Sequence, residues 1–363
     1  MGEVRLRRLP VLALGMLSLL VALWAGLGRI GWALPQPREA LPAVHGPLMM
    51  CGFLGTLIAL ERAVAVGSAW AYLSPIAAGL SGVALAVGLL LPAAQGLAVA
   101  AGVLLVVAYG VFLRRQPSSH MAVMAVGGAC WAVGNGLWLA GVDLLHVAPW
   151  WCAFLVLTIA AERLELSRLA QPPRSARIAF LAIVAIYLGG VAATLVRADA
   201  GARVEGAGAL LLALWLARYD IARRTVRGTG LPRYVAVCLL SGYVWLAAHG
   251  AMLLAFGDAL PGTHRDATLH ALFLGFVMAM IFGHAPVIFP AILGVPVPYR
   301  ASFYLQLVLL HASLAARVAG DLLLDIPLRQ WGGLVNGLAI LAFLLNTLLS
   351  VAAPPPPATL PAR

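Results

Sequence analysis

The chain has 363 residues, 63% of them hydrophobic and only 10% charged, with a mean hydropathy of +0.97. That composition excludes an ordinary water-soluble domain. The net charge of +11 comes from arginine alone, since lysine is absent; the arginines lie in short connections between apolar stretches, so the excess reads as membrane topology and not as nucleic-acid binding.

Twelve apolar stretches follow one another, each long enough to cross a hydrocarbon core of ~30 Å as a helix. They are expected at 10–32, 43–66, 72–91, 96–113, 121–139 and 150–166, then at 178–196, 206–221, 234–256, 268–293, 302–324 and 331–351. The expected fold is therefore all-α and polytopic, one transmembrane domain over residues 1–353. The break between the second and third spans is the least marked, because residues 63–73 carry no charge. The first span reads as a retained anchor, its apolar run being long for a signal peptide. Arginines cluster before the first span (Arg5, Arg7, Arg8) and after the fourth, sixth, eighth and tenth. Fewer lie in the alternate connections, which hold Arg38, Arg197, Arg203, Arg265 and Arg329. Positive charge stays inside, so both termini are expected in the cytoplasm. The proline-rich stretch 354–363 reads as a solvated cytoplasmic tail.

One helix recurs. The segment from His45 to Arg62 is echoed without a gap 101 residues later, from His146 to Arg163. Cys51 matches Cys152, Phe53 matches Phe154, and Glu61-Arg62 matches Glu162-Arg163. Apolar matches come cheaply in such a chain, whereas His, Cys and Glu-Arg matches do not, and the pattern marks an internal repeat. His270 stands at the start of the tenth span as His45 does at the second, four spans apart each time. The chain reads as three units of four helices, about 1–116, 117–228 and 229–353, with spans 2, 6 and 10 equivalent and near a common axis.

Ionisable groups at membrane depth are costly and commonly face the bundle interior with a partner or a task. His45, His249, His270, His284 and His311 all fall inside spans or at their first turns. In a continuous α-helix His284 would lie ~21 Å beyond His270 and within ~40° of its face, which suggests two stacked sites. Neutral imidazole is the commonest ligand of haem iron and copper, and methionine is a soft partner for either. Met49 lies four residues after His45, Met252 three after His249 and Met278 eight after His270. His45 and His270 carry the metal or haem reading best, with a hydrogen-bonded interior histidine as the alternative; for His249, His284 and His311 the two readings are balanced. His120, His146 and His264 read as interfacial. The four cysteines have neither disulfide nor zinc spacing. Glu61 and Glu162 allow two readings: a proton-uptake carboxylate or one behind a metal ligand, or a Glu-Arg pair whose arginine snorkels to the interface. Helix-end position favours snorkelling. Pro286, Pro290, Pro296 and Pro298 predict a kinked or broken exit from the tenth span.

The pattern His45-x-x-x-Met49-x-x-Gly52-Phe53 resembles the second-helix signature of the NnrS family, and His270-Ala-Leu-x-x-Gly275 with Met278 resembles that family's late histidine helix. The stretches Gly242-Tyr243-x-Trp245-Leu246 and 314–318 are similar as well. The resemblance implies a twelve-span haem- and copper-containing protein of the bacterial inner membrane, with a b-type haem, associated with nitric oxide and nitrosative stress, and it puts His45 and His270 in the metal-site role. The expected partners are membrane lipids, a diatomic gas and an electron donor. The three-by-four plan also resembles the catalytic subunit of haem–copper oxidases and nitric oxide reductases. The vicinal His-His pair and the His-x-His of that subunit are missing here, which argues against a standard oxygen-reducing, proton-pumping site. Two alternatives remain at this stage: a redox enzyme on that scaffold, and a transporter of copper or a small solute. The repeat is parallel, whereas transporter repeats are often inverted.

Overall fold

A computed structural model describes residues 8–35, 37–258 and 262–352. The expected arginines at 5 and 7 and the tail at 354–363 lie outside the described residues. Among the described residues there is no strand, and twelve helices are long and apolar enough to cross a membrane. They are α1 Leu9–Arg29, α2 Leu41–Val66, α3 Ala69–Val87, α4 Leu91–Arg115, α5 Ser119–Leu139, α6 Leu144–Ala170, α7 Arg174–Ala193, α8 Ala198–Tyr219, α9 Gly230–Phe256, α10 Thr263–Ile292, α11 Phe303–Leu323 and α12 Ile326–Ala352.

The number and order match the sequence expectation, but several ends do not. The weakly marked break falls at Gly67, whose φ of +75° closes α2 in a left-handed cap that glycine adopts without a Cβ penalty. Helix α6 begins at Leu144 and carries Pro149 inside it, six residues before the expected start. Helix α8 begins eight residues early and takes in Asp199, Arg203 and Glu205. Asp199 and Arg203 pair at 3.0 Å one turn apart on an exposed face, which lets a charged segment remain helical. Helix α10 begins at Thr263, so His270 sits two turns inside it instead of opening it. Of the kinked or broken exit expected for this helix, the break is not found: the helix runs through Pro286 and Pro290 to a left-handed cap at Gly294.

Helices α2, α6 and α10 form the centre. Between 61% and 67% of their apolar windows is buried, against at most 56% in any other helix. Helix α10 touches both α2 and α6 and is flanked by α9 and α11, while α7, α8 and α9 pack in sequence. Small residues permit that close packing, as expected where lipid offers no hydrophobic drive for association. Gly190 and Gly208 bring α7 against α8, and Gly206 and Gly250 bring α8 against α9. A buried polar knot ties the centre to its neighbours. Asn135 on α5 accepts from Trp151 of α6 at 2.9 Å and donates to the Ala98 carbonyl of α4 at 2.9 Å, and the Cys51 thiol of α2 lies 3.4 Å from its oxygen.

Two of the central helices share an unusual backbone. Leu48–Gly55 in α2 and Ala271–Met278 in α10 are π-helical, with i→i+5 hydrogen bonds. Such segments are rare and recur at functional sites. A π turn holds about 4.4 residues instead of 3.6, so eight of them rotate the downstream helix by on the order of 100° relative to an unbroken α-helix. Gly275 lies at the middle of the α10 segment, and a Cβ there would run into the Trp245 indole. Gly275→Ala is therefore expected to destabilise the fold by about 1–3 kcal/mol through overpacking, read as a lower thermal midpoint in detergent. An unchanged midpoint would mean that the indole can move aside freely.

Candidate functional site

The N-terminal ends of α2, α6 and α10 define one face of the bundle, called here the His45 face; the opposite one is the Glu61 face. Below the His45 face lies a cavity of about 450 Å³ walled by α1, α2, α6, α10, α11 and α12. His45 and His270 both line it. Their ring centres are 6.4 Å apart and their planes are 18° from parallel. His45 Nδ1–H donates to the Ala22 carbonyl of α1 at 2.7 Å, and His270 Nδ1–H donates to the Asp266 carbonyl at 2.8 Å. A carbonyl can only accept, so each Nδ1 carries the proton and each Nε2 is left with its lone pair. This is how metal-binding histidines are oriented: one nitrogen held from behind, the other free. Gly26 makes room for the His45 ring, since a Cβ there would lie 2.8 Å from its Cε1.

The π-helical segments shape the rest of the wall. Met49 and Met50 both line the cavity next to His45, as do Phe273 and Met278 beyond His270. Leu23, Leu27, Phe53, Leu54, Leu274 and Ile340 make most of it apolar, and Arg29, Arg317 and Arg329 line it as well. Asp266 organises these charges. Its carboxylate lies 3.3 Å from His270 Nδ1, accepts from Arg317 Nη2 at 2.8 Å, and is 3.5 Å from Arg329. Arg329 Nε is also 2.7 Å from Asp321 Oδ1, in contact but without hydrogen-bond geometry. Arg29 has no ion-pair partner among the described residues, which leaves the cavity with more positive charge than negative.

The other candidate histidines fall elsewhere. His284, beyond the π segment of α10, does not line the cavity; its Nδ1–H is bonded to the Met280 carbonyl at 2.7 Å, near Arg163, Glu61 and Asp220. The alignment within ~40° expected of a continuous α-helix does not apply across the π segment, but His284 still lies near groups of α2 and α6, at a second depth in the bundle. His311 has both nitrogens engaged. Trp245 Nε1–H donates to its Nδ1 at 3.0 Å, so its Nε2–H donates to Ser241 Oγ at 2.9 Å, and no lone pair remains for a metal. His249 donates from Nδ1 to the Thr268 carbonyl at 2.9 Å, its buried Nε2 has no hydrogen-bond partner among the described residues, and the residue lines a separate, smaller space. Met252 packs on Ala267 and Ala271 away from both.

Toward the Glu61 face the repeated Glu-Arg pairs turn inward. Arg62 bridges Glu61 at 2.5 Å and Glu162 at 2.9 Å, linking α2 to α6. Arg163 is 95% buried, 3.9 Å from Asp220, which also accepts from the Tyr243 hydroxyl at 2.8 Å. The snorkelling reading is thus overturned: both arginines are held by carboxylates inside the bundle. Glu205 on α8, 2% exposed, is a buried acid that the sequence reading had left in a connection. The early charges of α8 hid it.

The family described as a domain of unknown function, DUF8744, matches residues 8–352. The chain belongs to this family. No curated protein matches it. The DUF8744 match spans all twelve helices, so the His45–His270 cavity and the Arg62 bridge both lie within the family's domain. Among the described residues of this DUF8744 chain, no three His, Cys, Asp or Glu side chains group closely enough to cage a metal ion. The donor set on offer is a facing pair of imidazoles with methionines nearby.

Proposed function

We propose that this DUF8744 protein is a haem-binding integral membrane protein of the NnrS type, in which His45 and His270 hold the iron and nitric oxide or a related diatomic is the ligand it answers to. The setting is the bacterial inner membrane, with both termini cytoplasmic, in nitrosative-stress or denitrification physiology. One observation carries the reading: two imidazoles with free Nε2 atoms, 6.4 Å between ring centres, across a cavity of about 450 Å³. Two imidazoles that shared one ion through metal–nitrogen bonds of about 2 Å would have ring centres about 6 Å apart, close to the spacing found here. The walls fit the group as well. The wall is mostly apolar, which would suit a macrocycle, and Arg29, Arg317 and Arg329 would be there to meet its carboxylates.

When bound, the haem would supply one-electron redox chemistry and a site for diatomic ligands. The chain's own residues set how. The Asp266 carboxylate behind Nδ1 strengthens His270 as a donor, while His45 has only the Ala22 carbonyl behind it. His270 would then be the firmer donor and His45 the weaker one. Leu144, Leu145 and Ala148 at the start of α6 close one side of the cavity and limit water.

A second reading is copper held by the two histidines with Met49 as a soft third ligand, favoured by the position of Met49 in the same wall. Absorbance spectra and metal analysis of detergent-purified protein, oxidised, reduced, and reduced with nitric oxide, separate the two. A Soret band that shifts with nitric oxide, with about one iron per chain, is expected. Copper without haem would favour the second reading. Neither metal, in folded protein expressed with both supplied, would leave the histidines as transport or structural residues.

A further inference from the structure

We propose that the small cavity between α6, α8, α9 and α10 is a water-filled proton-exchange site, in which Glu205 takes up and releases the proton and His249 is its inner acceptor. The site shares Leu145, Arg265 and Leu269 with the wall of the histidine cavity but includes neither His45 nor His270, and it does not depend on what that pair binds.

The cavity measures about 40 Å³. A water molecule needs ~10–15 Å³ of such space, so about three fit. Its lining reaches from the exposed Asp258, in the connection after α9, to the buried Glu205 and His249. Glu205 is the eighth residue of α8, and His249 lies seven residues before the end of α9. At 1.5 Å per residue both are ~10 Å below the His45 face. The two are almost fully buried, at 2% and 1% exposure.

The chemistry of the lining selects the occupant. His249 Nδ1–H is committed to the Thr268 carbonyl, so Nε2 is an acceptor, and it has no hydrogen-bond partner among the described residues. Glu205 forms no ion pair among them; the groups facing it are Tyr187 of α7, Cys152 and His146 of α6, His249 of α9, Arg265 of α10, and Asp258. Arg265 is already engaged by Asp258 at 3.1 Å and by the Leu145 carbonyl. The buried Nε2 of His249 needs a donor, and water between it and the Glu205 carboxyl supplies one at the least cost. A metal cation is opposed by the Arg265 guanidinium and by the lack of a third ligand.

A buried acid reached by water at this depth exchanges protons with one side of the membrane. In the exchange the carboxyl O–H bond of Glu205 breaks and the proton passes to the adjacent water. It then moves outward through the vestibule to bulk solvent, or inward to His249 Nε2 to form imidazolium. The reverse path restores the acid. Nothing is oxidised or reduced.

The test is infrared difference spectroscopy on the full chain in lipid nanodiscs, cycled in pH in water and in deuterium oxide. A carboxyl band should titrate reversibly, shift on deuteration, vanish in Glu205→Gln and move in His249→Phe. A band lost in Glu205→Gln but resistant to deuterium, or no Glu205-dependent band at all, would mean a dry, sealed cavity and overturn the proposal. A band that follows sodium when sodium replaces choline would make it a cation site and also overturn it. Should Glu205→Gln fail to fold, the wild-type thiols give a second readout. The Cys152 S–H stretch, assigned with Cys152→Ala, should deuterate at least about tenfold faster than that of Cys238, which lies in the core. Equal rates for the two would sink the idea.

Discussion

Replacing His270 by alanine is expected to strip the purified protein of its Soret band and lower its iron content by at least about tenfold, with the helical fold intact. The expectation follows from the unequal support of the two imidazoles. Asp266 holds His270 from behind through its carbonyl at 2.8 Å and its carboxylate at 3.3 Å, and that carboxylate is itself fixed by Arg317. Loss of a group that merely orients a metal-binding histidine costs about 10- to 100-fold in affinity, and loss of the ligand itself costs no less. His45→Ala is expected to behave differently. One donor remains, so on the haem reading the group would be retained in part, with a shifted spectrum. Added imidazole should restore the lost ligand in either variant. An unchanged spectrum with full iron content in His270→Ala would remove that residue from the site. Loss of haem in both variants alike would instead mean that the two ligands contribute equally.

The second large effect is expected far from the cavity. Arg62→Met should lower stability by about 2–3 kcal/mol while leaving the metal content unchanged. Arg62 is the shared partner of Glu61 and Glu162, at 2.5 and 2.9 Å, and its side chain is only 12% exposed. Removing one member of a buried ion pair costs about 3–5 kcal/mol, because the remaining charge has no compensation. The glutamates are 30% and 26% exposed, so part of that cost is screened and the lower figure applies. Methionine keeps most of the buried stem, which isolates the charge from the packing. Thermal unfolding in detergent measures the loss. The triple variant with Glu61→Gln and Glu162→Gln should recover more than half of it, since the stranded carboxylates are then gone. No loss in the single variant would show that Arg62 is held by solvent and not by the two acids.

The residues of the metal reading were legible in the sequence because polar side chains are scarce in it. Against a background with 10% charged residues, His45 and His270 stand out, and their place four spans apart pointed to helices that meet. What could not be read was the face each side chain takes. The angle between His270 and His284 follows from 100° per residue only if the helix stays α, and the π segment Ala271–Met278 breaks that rule. A run of Leu, Phe, Gly, Val and Met reads as α-helix by composition, with nothing in it to announce the wider turn. The fate of His311 was hidden for a related reason. Its two hydrogen-bond partners, Trp245 and Ser241, lie 66 and 70 residues away in sequence.

The sequence by itself determined that the described residues form a bundle of twelve apolar helices, and it singled out spans 2, 6 and 10, which are the most buried of them. Hydropathy settles the first, because an apolar run of some 20 residues in lipid must satisfy its backbone internally and does so as a helix. Tertiary structure alone decided which polar groups face one another. It placed His45 opposite His270, closed both Nδ1 atoms onto backbone carbonyls, and folded Arg62 between two glutamates where position alone suggested the membrane surface. It also buried Glu205, because the pair formed by Asp199 and Arg203 let α8 start two turns early and carry that acid into the bundle. The physical reason is one of range. Helix formation in lipid is decided by each segment's own backbone and composition, whereas the partner of a buried charge is decided by which helices touch, and in what rotation.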